Sequence, residues 1–274
     1  METKGKRLDV ELVERGLAAS RQQAKNRIEA GRVLINGKPA GKASQMVKPE
    51  DVVTVTGEED PFVSRGGFKL AGALERFDIS MKDLVCLDAG ASTGGFTDCL
   101  LQKGAKRVYA VDVGHDQLAE KLRQDARVVS MENQNIRYFT TETLPEQCDF
   151  ACADLSFISL TKVLPAIGAC VKQGASLVCL IKPQFEAGPG QVGKHGIVKD
   201  SRVHHKVLTQ VCAEAAALGL TAIGLMPSPI KGQDGNTEFL VHWIKESKEN
   251  GSLLLPELIE KALTQAKSLK EEAI

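Results

Sequence analysis

From residue 84 onward, short apolar runs alternate with amphipathic stretches. The pattern predicts strands at 84–88, 107–111, 127–131, 149–153, 175–181, 221–226 and 239–244, with helices near 68–77, 96–103, 116–123, 160–171 and 202–218. Strands and helices that alternate with short connections build a parallel, doubly wound α/β sheet covered on both faces. Near the end the alternation stops. Only a loop separates 221–226 from 239–244, which predicts a late antiparallel hairpin. A last helix over 253–269, started after Ser252, has apolar spacing suited to docking on the body.

The first sixty residues keep a different rhythm. Leu8, Leu12 and Val13 mark a helix over 8–15 that Gly16 stops. Ser20 is a suitable N-cap for a second helix over 21–30, ended by Gly31. On that helix Arg21, Lys25 and Arg27 are expected to point outward together while Ala24 and Ile28 face inward. Val33–Ile35 runs into Asn36-Gly37, a strong hairpin signal, and 52–55 closes a small sheet. Polar residues 57–61 read as a linker. The domains expected are therefore 1–57, a linker at 58–62, and 63–274.

Charge separates the same two parts. The 274-residue chain is neutral as a whole, yet residues 1–48 carry eleven Lys/Arg against five acids, a balance that favours contact with a polyanion. Apolar and charged contents of 43% and 26% suit a globular protein. The longest apolar runs, such as Leu177–Ile181, fall far short of the roughly 20 residues a membrane span needs. Seven cysteines with no C-x-x-C argue for reduced thiols, so a cytoplasmic location with neither membrane partner nor metal site is expected. The five histidines lack metal-ligand spacing.

The most informative stretch is 86–97, CLDAGASTGGFT, where an apolar run meets an acid and a glycine-rich turn that opens a helix. Such turns let backbone N–H groups and a helix N-terminus approach a ligand. Gly90, Gly94 and Gly95, with Ser92 between them, break the dinucleotide spacing G-x-G-x-x-G. The spacing D-x-G-x-x-x-G suits S-adenosylmethionine, with Asp88 facing its methionine ammonium. A second run ends at Asp112, placed for the adenosine ribose hydroxyls. Asn133 or Asn135, after the third strand, is the candidate for the adenine edge. A decoy lies at Gly188–Lys194, which fits G-x-x-x-x-G-K. His195 follows where a P-loop needs Ser or Thr, and no helix pattern opens there. A loop offering Lys194 to RNA phosphates is the better reading.

Four ionisable residues fall at strand ends or in adjoining segments: Lys69 in SRGGFKL (64–70), Asp154 after a strand, Lys182 before Pro183, and Glu238 opening the last strand. Together they resemble the K-D-K-E tetrad of FtsJ-type RNA ribose 2′-O-methyltransferases. Residues 7–40 resemble an S4 RNA-binding domain. The strings at 86–97, 153–160 (ADLSFISL) and 182–186 (KPQFE) are similar to the TlyA family, also called hemolysin-like, over nearly the whole chain. The resemblance implies a Rossmann-like methyltransferase sheet behind a small α+β S4 domain. It also implies methylation of a cytidine 2′-hydroxyl in ribosomal RNA or ribosomal subunits, with Arg21, Lys25 and Arg27 on an RNA-binding helix pair; Arg65 and Lys194 are further candidate RNA contacts. In that chemistry a poorly nucleophilic hydroxyl must lose its proton as it takes a methyl from a sulfonium. A neutral lysine can accept the proton, or a charged one can stabilise the alkoxide. Lys182 is the expected neighbour of the hydroxyl. A non-catalytic RNA-binding protein and a membrane-acting haemolysin are the alternatives.

Overall fold

The computed structural model describes residues 5–18, 21–57, 60–188, 190–232, 235–246 and 254–271. Its contacts divide the chain into two units, Met1–Ser64 and Arg65–Ile274.

The first unit runs β1 (Lys6–Arg7), α1 (Leu8–Glu14), α2 (Arg21–Glu29), β2 (Val33–Ile35), β3 (Lys38–Pro39), β4 (Met46–Val47) and β5 (Val53–Val55). β3, β2 and β5 form an antiparallel sheet, and β1 pairs with β4. Asn36 (φ 50°) and Gly37 (φ 77°) make the β2–β3 turn, where positive φ at both positions matches the twist of the strands. Leu8, Leu12, Ala24, Ile28 and Val33 form the core beneath the helices. One expectation is corrected here. Arg27 is only 14% exposed; it ion-pairs with Asp60 at 3.0 Å and donates to the Leu17 carbonyl at 2.6 Å. Arg32 holds the other Asp60 oxygen at 2.6 Å. Asp60, within the stretch read as linker, thus pairs with two part-buried guanidiniums of this unit. The Ser20 and Ser252 caps lie outside the described residues.

The second unit runs α3 (Gly66–Arg76), β6 (Val85–Ala89), α4 (Gly95–Gln102), β7 (Arg107–Val111), α5 (Glu120–Arg123), β8 (Val128–Met131), β9 (Cys148–Ala153), α6 (Leu164–Cys170), β10 (Val171–Ile181), α7 (Pro183–Glu186), α8 (Ser201–Ala217), β11 (Leu220–Pro227), β12 (Phe239–Lys245) and α9 (Leu255–Glu271). Its seven-stranded sheet has the order β11-β12-β10-β9-β6-β7-β8. Pairings from β10 through β8 are parallel, and β12 slots antiparallel between β10 and β11. α9 packs on β11 and α8, as its apolar spacing required. β10 starts four residues earlier than its apolar pattern suggested, with a register shift between Val171 and Ser176. α5 is a single turn, since Asp116 (φ 52°) leaves the helical region. Lys194–Gly196 forms one 3-10 turn instead of opening a helix, with His195 at φ 65°.

Trp243, Phe150, Phe239 and Tyr109 are fully buried, each removing a large apolar surface from water. All seven cysteines are free and buried. Burial pushes the thiols up, Cys170 to about 11 and Cys148 to about 12, so they pack as small apolar groups. The chain leaves β6 toward β7 and β8, then crosses back to β9 on the other side. That reversal opens a crevice at the carboxyl ends of β6 and β9, where open α/β sheets bind ligands.

Candidate active site

Gly90 (φ 87°) turns the chain out of β6, and its N–H and that of Ala91 both bond the Val111 carbonyl, at 2.8 and 3.1 Å. A Cβ at position 90 would stand 2.7 Å from the Asp154 carbonyl oxygen. Only glycine lets the loops after β6 and β9 meet this closely. Asp112, ending the β7 segment, accepts from Ser92 N–H at 2.8 Å through Oδ2 and from Gly114 N–H at 2.7 Å through Oδ1. Gly90, Ser92, Asp112, Gln117, Gln134 and Asp154 help to line a cavity of about 290 Å³.

Five of the cofactor candidates stand off the cavity wall. Asp88 is fully buried and lies outside the cavity wall; burial pushes its carboxyl up to about 7, and it accepts from the Thr97 hydroxyl at 2.6 Å. It braces the start of α4 from behind the turn. Gly94 (φ 97°) is the left-handed residue ahead of α4, packed under Leu118 and Leu122, and the buried Gly95 opens that helix. These two glycines shape the turn without lining the cavity. Asn133 (φ 57°) reaches His115 Nδ1 at 3.5 Å, and Asn135 accepts from Arg137 N–H at 3.1 Å to cap a 3-10 turn. Gln134 and Ile136 occupy the cavity wall instead. Side chains alternate along the extended segment after β8, so a shift of one residue changes which faces the ligand.

Through Asp154 the cavity wall joins the tetrad. Lys69 comes from α3, Asp154 follows β9, Lys182 follows β10, and Glu238 precedes β12. Lys182 Nζ is 2.6 Å from Asp154 Oδ1 and donates to Ser156 Oγ at 2.9 Å. Lys69 Nζ lies 3.5 Å from Asp154 Oδ2 and 2.8 Å from Glu238 Oε2. All four are buried or nearly so. The cluster holds two cations and two carboxylates, so neither sign is left uncompensated away from water. Burial works to raise the Asp154 carboxyl, but Lys69 and Lys182 outweigh it and hold the group below its ordinary value.

Several neighbours escaped the sequence reading. Gln184 donates to Glu238 Oε1 at 3.0 Å, and Gly232 leaves room for that same carboxylate, since a Cβ there would stand 2.6 Å from Oε1. Phe157 is 91% exposed, adopts φ 63° and meets the Phe185 ring at 5.1 Å. No spacing rule marks these residues; Pro183 within an apolar–basic strand end was the available hint of a special turn. Arg65 is exposed one turn ahead of Lys69 and donates to the Lys231 carbonyl at 3.2 Å. Lys194 is exposed in the loop between α7 and α8. Arg21 and Lys25 lie on α2 of the first unit, Arg21 bonded to the buried Asp9 at 2.9 Å. His115, expected to stand apart, lies 3.0 Å from Asp116 and 3.4 Å from Glu132, and their ligand atoms are close enough to share a metal ion. Arg123 already supplies a cation to Asp116 at 3.0 Å in this exposed group.

The antiparallel insertion of β12 into a Rossmann-like sheet, with this turn and acid at the switch point, defines a methyltransferase. The FtsJ-like methyltransferase model matches residues 62–245, and the S4 domain model matches residues 6–53. The chain belongs to the TlyA family of FtsJ-like methyltransferases. It is 49% identical over 240 residues to the 16S/23S rRNA (cytidine-2′-O)-methyltransferase TlyA of Mycobacterium tuberculosis, covering 87% of this chain and 89% of that one. It is 48% identical over 278 residues to YqxC of Bacillus subtilis, named as an rRNA methyltransferase, covering 99% and 98%. A solved structure from Streptococcus thermophilus, named as a hemolysin, is similar with a TM-score of 0.77 and 43% identity over 99% of this chain and all of the other. S-adenosylmethionine is the cofactor of this class, and the residues present fit it. The Gly90 cradle admits close backbone approach, and the Asp112 oxygens retain lone pairs for a diol.

Proposed function

We propose that this protein methylates the 2′-hydroxyl of a cytidine in ribosomal RNA, with S-adenosylmethionine as donor. The observation that carries the reading is the continuous chain of contacts Lys182–Asp154–Lys69–Glu238, joined through Asp154 to the cavity that Asp112 also lines. The Gly90–Ser92 turn and Asp112 hold the cofactor, which supplies an electrophilic methyl group when bound. Lys182, anchored by Asp154 and Ser156, meets the target hydroxyl and in its neutral form accepts the proton. Lys69 keeps its ion pairs to Asp154 and Glu238 and places positive charge beside the oxygen as it loses that proton. Glu238 balances Lys69, and Asp154 is shared by both lysines. Much of the acceleration comes from holding the hydroxyl in line with the methyl donor, so fixed lysines matter as much as proton affinity.

Phe157 at the cavity offers an exposed aromatic face, and the exposed Arg65 and Lys194 offer positive charge, the two features single-stranded RNA uses. The S4 unit adds Arg21 and Lys25 as phosphate contacts and brings the enzyme to ribosomal RNA or ribosomal subunits, which places its work in the cytoplasm. Among the described residues no helix is long and apolar enough to cross a membrane, so nothing in the helices favours a haemolytic role.

Purified protein incubated with ribosomal RNA or subunits and labelled S-adenosylmethionine should transfer label. The phosphodiester 3′ to the product nucleotide should resist alkali, because its 2′-oxygen is blocked. Label on a base, or transfer that survives Lys182→Ala, refutes the reading.

A further inference from the structure

The five residues 182–186 tie together the carboxyl end of β9, the carboxyl end of β10 and the approach to β12. Lys182 pairs with Asp154 and Ser156, Gln184 with Glu238, and Phe185 with Phe157. Glu186 completes the set. Its Oε1 accepts from Leu160 N–H at 2.7 Å and its Oε2 from Ser159 Oγ at 2.7 Å, and Ser159 Oγ also lies 2.8 Å from Thr161 Oγ1. Both oxygens of a largely buried carboxylate are thus spent on the far end of the loop that begins with Asp154.

That loop needs holding. Phe157 at its centre has φ 63°, a conformation that costs a non-glycine residue roughly 1–2 kcal/mol and that persists only where its surroundings enforce it. The loop is pinned at one end where Asp154 N–H bonds the Ala89 carbonyl at 3.2 Å, and at the other by Glu186. Ser156, the second partner of Lys182, lies between the two pins.

We propose that Glu186 is a positioning residue for methyl transfer: by gripping Ser159 and Leu160 it sets the 154–160 loop, and with it Asp154 and Ser156, against Lys182. The proposal rests on the tetrad reading above. It has a pH signature, because the grip needs an acceptor-only carboxylate. Burial pushes the Glu186 carboxyl up from its ordinary value, Leu160 and Ser159 pull it down, Glu214 on α8 raises it, and Lys162 in the 3-10 turn lowers it. Asp154, held low, ionises below it. As pH falls through the Glu186 ionisation, one oxygen becomes a donor facing the Leu160 N–H or the Ser159 hydroxyl, and the loop slackens.

The experiment is the pH profile of kcat for the full chain, wild type against E186Q and S159A, with K182A as reference. E186Q, fixed in the neutral state, should lower kcat about 10- to 100-fold at neutral pH, the scale of a small misplacement of reacting groups, and should lose the acid limb that Glu186 contributes. S159A removes a bond that favours the charged form, so its acid limb should move to higher pH. Calorimetric uptake of S-adenosylmethionine and a cooperative melt establish that each variant is folded. Wild-type kcat and an unchanged acid limb in E186Q, with K182A inactive, overturn the Glu186 assignment alone. Full activity in K182A overturns the tetrad reading beneath it.

Discussion

Lys69 and Glu238 stand 169 positions apart in the chain, yet Nζ of one lies 2.8 Å from Oε2 of the other. α3 precedes the whole sheet and Glu238 sits at the entry to its last strand, so this pair forms only once the sheet has been assembled in order. The pair also decides how Asp154 behaves. Lys69 divides its charge between two carboxylates, and Asp154 completes its compensation through Lys182.

Removing Asp154 should therefore harm stability as well as turnover. Asp154→Asn leaves Lys182 without a carboxylate and Lys69 with one, both in a buried setting. Loss of one partner in a buried ion pair costs about 3–5 kcal/mol. Denaturant unfolding should show that loss and methyl transfer should disappear; a variant as stable as wild type would mean the cluster is better hydrated than its burial indicates.

Lys182 can be tested for proton acceptance rather than charge alone. Arginine keeps the positive charge but does not give up its proton in proteins. Lys182→Arg should fall about 10²–10⁴-fold in kcat, close to Lys182→Ala, as expected for a missing general base. Near-normal turnover in Lys182→Arg would assign the residue to alkoxide stabilisation.

Cofactor affinity should depend on Gly90 and Asp112 and be indifferent to the S4 unit. Gly90→Ala meets both a positive φ and the Asp154 carbonyl, so calorimetry should record at least about a tenfold weaker Kd for S-adenosylmethionine. Asp112→Ala frees the N–H groups of Ser92 and Gly114 and removes the diol partner, a loss of about 1–3 kcal/mol in binding.

Lys25 and Arg27, both on α2, should separate cleanly. Lys25→Ala should weaken RNA binding across sequences and lower the salt slope by about 1, with melting unchanged. Arg27→Ala should instead lower the melting of the first unit, because Asp60 Oδ2 and the Leu17 carbonyl lose their donor, at about 1–3 kcal/mol. Filter binding and a thermal scan read the two effects.

Acid sensitivity should arise in part from His242. Burial pushes its imidazole down to about 4 from 6.5, and its Nε2 lies 3.0 Å from Ser176 Oγ. Between those values the unfolded chain binds the proton and the folded one does not. Stability therefore falls as pH drops below about 6.5 and the effect levels off near 4, for a total on the order of 3 kcal/mol. His242→Gln should flatten this part of the stability curve.

Misreadings of the sequence share one cause. Gln134, between Asn133 and Asn135, lines the cavity because side-chain direction in an irregular segment depends on backbone angles that residue types only bias. Arg27 has the composition of a surface residue, and only the return of Asp60 beside α2 turns it inward. Asp88 was the right residue type in the right place, but the Thr97 hydroxyl in the first turn of α4 claims its carboxylate. Gln184 and Glu186 follow a recognisable Lys-Pro, yet their partners are 54 and 26 residues away.

What the chain determined by itself was periodic or local: the order of strands and helices, the late hairpin, the glycine turn at 90, the acid at 112, and the division into a basic module and a neutral body. Apolar spacing and φ preferences act over a few residues, so they can be read from a few residues. Tertiary structure alone decided which face each loop side chain takes, how Lys69, Asp154, Lys182 and Glu238 share charge, and what holds the 154–160 loop. Those outcomes depend on burial and on contacts between segments far apart in the chain, and neither exists until the sheet has closed.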